Sequence, residues 1–256
     1  MCSDPDSRPP ITPLPGTGAA GRHVRLLSAD GNAFTAYRAD AATRTRVGII
    51  VLPDYHGLTP FYEALALRFA EVGVDAITLD YYGRTAAPPP RGDDFDHVAH
   101  SRMASWAGLQ ADVHAAAHML RSERDVEHLF SIGFCFGGRT SFLLSTVPEL
   151  AMDGVIGFYG WPVGPFANDS PAPAEMTDAM RAPVLAVFGG ADDKIDPAAV
   201  SAFETSLQRS AVEHQVRVHE GAPHSFFDRR YSGHEAAAHD AWAEVRAFIA
   251  AHVASD

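Results

Sequence analysis

The stretch HLFSIGFCFGG, residues 128–138, decides how this chain is organised. Residues 128–134 form an apolar run of the kind found in a buried strand, and a helical pattern follows from residue 138. Gly133 and Gly137 lie two positions before and after Cys135. This Gly-x-nucleophile-x-Gly spacing is typical of a sharp strand-to-helix turn, because larger side chains at the two glycines would collide with the turn. It predicts a thiol held above a sheet at a helix N-terminus, where positive potential favours the thiolate.

Strand and helix patterns alternate on both sides of this turn. A hairpin is predicted first, with strands in 23–29 and 33–39 and a turn at Asp30-Gly31-Asn32. The alternation that follows predicts an α/β protein with a mostly parallel sheet and helices on both faces. The predicted strands are 47–53, 74–80, 128–134, 154–160, 182–190 and 214–220, and the predicted helices are 61–72, 97–122, 138–147, 197–209 and 235–253.

Composition limits the class of protein further. The chain has 256 residues, 46% of them hydrophobic, and 20 Lys and Arg against 32 Asp and Glu give a net charge of −12. We therefore expect no nucleic-acid partner, since such proteins carry basic surfaces. No apolar run reaches the roughly 20 residues that a membrane span needs, so we expect no membrane partner. The N-terminal MCSDPDSRPP has no signal-peptide core, which predicts a cytoplasmic protein.

Domain organisation follows from the same patterns. Residues 1–20 contain five of the 18 prolines and are predicted to form a flexible tail. No linker interrupts the alternation after it, so residues 21–256 are predicted to form one domain. The two cysteines, one of them at position 2, do not make a disulfide framework.

Three residues that follow predicted strands form a candidate catalytic triad. Cys135, Asp193 and His224 occur in the order nucleophile, acid, histidine. All three lie after carboxyl ends of strands, where open parallel sheets place their sites. Asp192 and Asp196 are alternatives for the acid, and we favour Asp193 because of its spacing after Gly189-Gly190 and before Pro197. A buried structural cysteine is the competing interpretation of Cys135.

Two backbone amides are candidates for an oxyanion hole. One is the amide of Phe136, directly after the nucleophile, and the other is that of Tyr55 in the loop 53–57. Tyr159 and Trp161, together with Tyr82, lie near strand ends and are candidates for the pocket wall or for the core. The loops 84–97 and 161–181 are either lids over the site or surface connections.

At these residues the sequence resembles the dienelactone hydrolase family of α/β-hydrolases, from about Arg22 to the C-terminus. The resemblance rests on GFCFGG at 133–138, on the loop that begins His224-Ser-Phe, and on DYYGR at 80–84. It implies the α/β-hydrolase fold and a Cys-Asp-His triad made of Cys135, Asp193 and His224.

The resemblance also implies roles for two residues outside the triad. Asp54 occupies a position where the family often has Glu, a residue thought to contact the resting thiol and help activate it. Arg84 lies where the family has an arginine that binds the substrate carboxylate. A second such arginine is replaced here by Asp228, with Arg229 and Arg230 following. These departures favour a broader range of esters or lactones.

The sequence therefore predicts a hydrolase of small ester or lactone substrates that needs no cofactor and forms a thioester on Cys135. Thiolate attack favours activated substrates, because the thiolate is itself a good leaving group. A broad-specificity carboxylesterase or thioesterase is the first alternative, and a non-catalytic thiol sensor on the same fold is the second. His114 and His118 have a metal-binding spacing, but no third ligand is near in sequence, so we expect no metal site.

Overall fold

Eight strands form a single sheet in the computed structural model, which describes residues 8–92, 94–228 and 232–253. The order of the strands across the sheet is β1-β2-β4-β3-β5-β6-β7-β8. Strands β1 and β2 are antiparallel to their neighbours, and β3 to β8 run parallel. The strands are β1 Ala20–Leu27, β2 Ala33–Asp40, β3 Val47–Leu52, β4 Asp75–Leu79, β5 His128–Phe134, β6 Gly154–Phe158, β7 Val184–Gly189 and β8 His214–His219.

The strands follow the local signals in the sequence. Gly31 has φ +86° in the turn between β1 and β2, a backbone conformation that favours glycine, and the predicted hairpin is confirmed. The β-branched residues Ile49, Ile50 and Val51 of β3 are fully buried between β4 and β5. A continuous apolar run is what a strand covered on both faces requires.

Six α-helices connect or flank the strands of the described chain. They are α1 Pro60–Glu71, α2 His97–Met103, α3 Trp106–Arg124, α4 Phe136–Leu144, α5 Pro197–Arg209 and α6 Glu235–His252. Short 3₁₀ turns lie at Tyr81–Arg84, Pro148–Leu150, Pro173–Glu175 and Thr177–Ala179. None of the helices in this part of the chain combines the length and apolar character of a membrane span.

The prediction of one helix over 97–122 is wrong, because the chain breaks between α2 and α3. Ala104 has ψ +84°, which ends α2. The Ser105 hydroxyl then accepts a hydrogen bond of 3.2 Å from the amide of Gly108 and caps α3. A serine that satisfies an unpaired amide at a helix start offers the backbone an alternative to continuing the helix.

The predicted tail, residues 1–20, is described from residue 8, and this described part contains no helix or strand before Ala20, where β1 begins. It nevertheless contacts the body of the protein. Pro10 is buried, and the amide of Leu14 donates a hydrogen bond of 3.0 Å to the Glu71 carboxylate at the end of α1.

Candidate active site

Cys135 lies at a strained turn between β5 and α4. Its backbone has φ +54° and ψ −109°, which is unfavourable for a residue with a side chain. A Cβ atom on Gly133 would lie 1.9 Å from the carbonyl oxygen of Gly137, and one on Gly137 would lie 2.1 Å from that of Leu52. The structure therefore has the strand-turn-helix that the glycine spacing predicts, and its glycines cannot be replaced without moving backbone.

The imidazole of His224, in the loop after β8, contacts a carboxylate at the end of β7. Its Nδ1 lies 2.8 Å from Oδ2 of Asp192. The two side chains are only 9% and 2% exposed, so water screens this pair little. The other imidazole nitrogen, Nε2, is buried and has no hydrogen-bond partner among the described residues. This leaves Nε2 available to a thiol or a water molecule.

The carboxylate that contacts His224 is Asp192, and the prediction of Asp193 for this position is wrong. Asp192 Oδ1 accepts hydrogen bonds from the amides of Lys194 and Ile195 at 2.7 and 3.0 Å, which directs Oδ2 toward the imidazole. The Asp193 side chain is 56% exposed, and its carboxylate lies 3.1 Å from the Lys194 ammonium.

The remaining alternative for the acid, Asp196, has a different place in the structure. It caps α5 by accepting a hydrogen bond of 2.8 Å from the amide of Ala198.

Aromatic side chains connect the turn at Cys135 to His224. The Cys135 amide donates a hydrogen bond of 3.0 Å to the carbonyl of Phe158. Tyr159, the next residue along, has its ring centroid 5.0 Å from that of His224, and so does Trp161. Taken as whole residues, Cys135 is 6% exposed and His224 is 7% exposed. Both reactive groups thus lie in a nearly enclosed aromatic environment.

The loop 53–57, which carries Tyr55, lies beside the same turn. A Cβ atom on Gly137 would be 2.4 Å from the carbonyl oxygen of Pro53, so this loop and the start of α4 are in direct contact. The Tyr81 hydroxyl donates to that carbonyl at 3.0 Å, and the Tyr82 hydroxyl donates to the carbonyl of Tyr55. The loop is therefore fixed, which a backbone donor for an oxyanion requires.

The two tyrosines that fix this loop are neutral donors. Burial raises the pKa of Tyr81 well above its usual value, and the nearby Tyr82, Asp54 and Cys135 raise it further. Burial also raises the pKa of Tyr82, with Asp54 as the next contribution. Both hydroxyls therefore keep their protons over the pH range in which proteins usually work.

No set of three or more His, Cys, Asp or Glu side chains capable of holding a metal ion occurs in residues 8–92, 94–228 and 232–253. The side chains of Cys135, His224 and Asp192 are suited to nucleophilic and acid–base chemistry. A thiol, an imidazole, a carboxylate and fixed amides are the groups that acyl transfer uses.

Comparison with known proteins shows to which protein family this chain is related. The model of the dienelactone hydrolase family matches residues 34–253. The chain belongs to the dienelactone hydrolase family. Its relatives include the carboxymethylenebutenolidase of Rhodococcus opacus, 30% identical over 207 residues, with 78% of this chain and 79% of that protein covered. A candidate carboxymethylenebutenolidase of Salmonella typhimurium is 27% identical over 248 residues, covering 91% of this chain and 88% of that protein.

Solved structures agree with this family and its fold. A candidate dienelactone hydrolase from Klebsiella pneumoniae superposes with a TM-score of 0.80 at 26% identity, covering 90% of this chain and 99% of that chain. The predicted α/β-hydrolase fold, with its mostly parallel central sheet, is confirmed.

Arg84 does not have the surroundings that the family resemblance implies. Its Nε and Nη2 donate to Asp112 at 3.0 and 2.7 Å, and its Nη1 lies 2.5 Å from Asp30. Hydrogen bonds and charges of these two carboxylates raise the pKa of Arg84, against an opposing effect of burial. The guanidinium thus ties the hairpin turn to α3, and its binding of a substrate carboxylate stays a prediction.

Asp54 also has a partner that the sequence did not suggest. The Nδ1 atom of His56 lies 3.0 Å from Asp54 Oδ2, and the His56 amide donates to Oδ1 at 2.9 Å. Tyr62 accepts a hydrogen bond of 3.0 Å from the Asp54 amide, and its hydroxyl lies 3.3 Å from Asp228 Oδ2. Asp54, the predicted thiol-activating carboxylate, is therefore paired with His56. The position of His56 two residues after Asp54 is the sequence feature that could have predicted this pair. Arg229 and Arg230 lie outside the described residues.

Proposed function

We propose that this protein hydrolyses small esters or lactones with Cys135 as the nucleophile, His224 as the general base and Asp192 as the carboxylate that orients the imidazole. The observation that carries the proposal is the buried contact of 2.8 Å between His224 Nδ1 and Asp192 Oδ2, which leaves Nε2 without a partner in the described structure. A purely structural histidine has no need of a buried carboxylate on one nitrogen and a vacant second nitrogen.

The proposed reaction has two steps that share one base. His224 Nε2 takes the thiol proton, and the Cys135 sulfur attacks the carbonyl carbon while the amides of Phe136 and Tyr55 stabilise the oxyanion. The carbon–oxygen bond to the leaving group breaks, and the proton on His224 passes to that oxygen. Water then gives a proton to His224 and attacks the thioester, which releases the acid and restores the thiol. Side chains and water balance the reaction, so no cofactor enters it.

Activated substrates suit this mechanism best. A thiolate leaves a tetrahedral intermediate readily, so the substrate needs a leaving group of comparable quality, as in enol esters and strained lactones. The relative from Rhodococcus opacus is named a carboxymethylenebutenolidase, an enzyme of lactones. Arg84 is already bound by the carboxylates of Asp30 and Asp112. We therefore propose that a substrate needs no carboxylate group in order to bind.

Asp54 is the proposed second influence on the thiol. Asp54 and Cys135 each contribute to raising the pKa of Tyr81, so both lie near that hydroxyl. Asp54 is 2% exposed and contacts His56. We propose that Asp54, paired with His56, takes the place of the family's glutamate in activating the thiol, and that Tyr159 and Trp161 form an aromatic wall beside His224.

The test is hydrolysis of p-nitrophenyl acetate and of a dienelactone by the wild-type protein, Cys135→Ala and Cys135→Ser. We expect turnover by the wild type, its loss in Cys135→Ala and His224→Ala, and a covalent acyl group on Cys135 of the wild type, detected by mass spectrometry after acid quenching. Cys2→Ser is the matched control for the other cysteine and should leave the rate unchanged. Turnover that survives Cys135→Ala would refute the assignment.

The same experiment separates the alternatives. Comparable kcat/KM on simple esters and on the dienelactone indicates a broad-specificity esterase or thioesterase. A protein whose Cys135 is oxidised reversibly by peroxide but which turns over no ester would be a thiol sensor instead.

A further inference from the structure

Arg139 is a buried cation one helical turn after the nucleophile. It is 1% exposed, and its amide donates to the Cys135 carbonyl in the first turn of α4. Burial lowers the pKa of Arg139 to about 10, and Glu175 opposes this effect. The guanidinium is therefore charged at neutral pH although it is enclosed by protein. An enclosed charge is tolerated only when its hydrogen bonds are satisfied.

The hydrogen bonds that the Arg139 guanidinium donates in the described structure all go to a single loop. Five oxygen atoms between residues 161 and 171 accept from it, and they are the carbonyls of Trp161, Gly164, Ser170 and Pro171 and the hydroxyl of Ser170, at 2.8 to 3.1 Å. A planar fork with five N–H donors suits such a set of carbonyls, whereas a lysine ammonium has three. The loop 161–171 is thus bonded to α4 through one side chain.

This loop carries two rings that reach the proposed catalytic residues. Trp161 has its ring centroid 5.0 Å from that of His224, and Phe166 has its centroid 5.8 Å from that of Phe136. The two rings are 5.4 Å apart, and the Arg139 guanidinium lies 5.1 Å from the centroid of Phe166. Arg139 therefore touches both ends of the loop and one of its rings.

We propose that Arg139 is a specificity-determining positioning residue, which fixes the loop 161–171 so that Trp161 and Phe166 limit the size of the group accepted beside Cys135. The inference rests on the proposed function where it speaks of substrates. Arg139 acts through the loop and does not contact the substrate.

The first experiment measures kcat and KM for p-nitrophenyl acetate, butyrate and octanoate in the wild type and Arg139→Gln. We expect the preference for octanoate over acetate to rise by about tenfold in Arg139→Gln, mainly through KM, because a wall that no longer fixes its rings admits longer chains. Arg121→Gln is the matched control. Arg121 also binds loop carbonyls, those of Leu150 and Ala151 at 2.7 and 3.2 Å. These two residues precede β6 and lie at the amino ends of the parallel strands, whereas Cys135 follows the carboxyl end of β5.

A double-mutant cycle tests whether Arg139 acts through Trp161. Trp161→Ala should change the chain-length preference in the same direction as Arg139→Gln, and the two changes together should do no more than Trp161→Ala alone. Full additivity of the two effects would overturn the proposal, as would an equal shift in Arg121→Gln. Should Arg139→Gln fail to fold, Ser170→Ala removes one acceptor of the guanidinium, together with the hydrogen bond of 2.8 Å that this hydroxyl donates to Asn168. A smaller shift in the same direction then supports the proposal, and wild-type preference overturns it.

Thiol alkylation keeps this inference separate from the proposed function. The ratio of the rates at which N-phenylmaleimide and iodoacetamide modify Cys135, followed by peptide mass mapping, reports the space beside the thiol without ester hydrolysis. We expect this ratio to rise in Arg139→Gln and to stay at the wild-type value in Arg121→Gln. An unchanged ratio in Arg139→Gln overturns the inference, whereas absence of ester turnover in the wild type overturns only the proposed function.

Discussion

The sharpest prediction concerns two neighbouring aspartates, of which only one contacts the imidazole. Asp192→Asn keeps the size of the side chain but removes the charge that faces His224 Nδ1 at 2.8 Å. A hydrogen bond to a charged group contributes about 1.5–3 kcal/mol, and an amide NH₂ in this position would also favour the wrong imidazole tautomer. Together we expect a loss of about 3–5 kcal/mol of transition-state stabilisation, which is roughly 10²- to 10⁴-fold in kcat/KM.

The assay is hydrolysis of p-nitrophenyl acetate over pH 6 to 9, with urea denaturation to establish that each variant is folded. Asp193→Asn is the control, because the Asp193 side chain is 56% exposed and pairs with Lys194. A surface pair of this kind contributes little, so we expect a change in kcat/KM of less than about twofold. The reasoning is refuted if Asp193→Asn has the larger loss of kcat/KM or if kcat/KM of Asp192→Asn stays within threefold of the wild-type value.

Three further predictions follow from contacts elsewhere. Arg84→Gln should lower the free energy of unfolding in urea by about 3 kcal/mol, because Asp112 is left buried at 3% exposure, and a selective tenfold loss for carboxylate-bearing esters would contradict this structural role. Burial and the neighbouring His56 lower the pKa of His97 below its usual 6.5. As pH falls, His97 is therefore protonated in the unfolded chain before it is protonated in the folded protein, and the free energy of unfolding decreases as pH falls below about 6.5. His97→Phe should flatten this dependence between pH 7.5 and 5, and equal slopes would count against it. Gly133→Ala should destabilise the protein by about 3 kcal/mol or prevent folding, since its Cβ would lie 1.9 Å from a backbone oxygen, and a wild-type melting temperature would be incompatible with this geometry.

Local signals in the sequence predicted most of the fold. The apolar run of β3, the glycine in the hairpin turn and the two glycines around Cys135 each specify a conformation within a few residues, and the structure has all of them. The break between α2 and α3 was not predicted, because the apolar pattern of the sequence continues across Ser105. A capping serine is a weak signal when the residues around it still suit a helix.

The partners of individual side chains were harder to predict, because they depend on distant segments. Arg84 meets Asp30 and Asp112 only after the hairpin and α3 have packed together. The choice between Asp192 and Asp193 depends on which carboxylate the turn after β7 directs inward, and spacing alone cannot give that direction. The residues of the candidate site are therefore predictable as a group, whereas their pairing requires the fold.

The order of the strands along the chain has a consequence for biosynthesis. The ribosome makes Cys135 well before His224, and a growing chain begins to fold from its N-terminal part. The contact between Asp192 and His224 joins the loops after β7 and β8, the last two strands to be made. A nascent or truncated chain that ends before these strands carries the thiol without the base that we propose for it, so on that proposal acid–base assistance at the sulfur arises only when the sheet is complete.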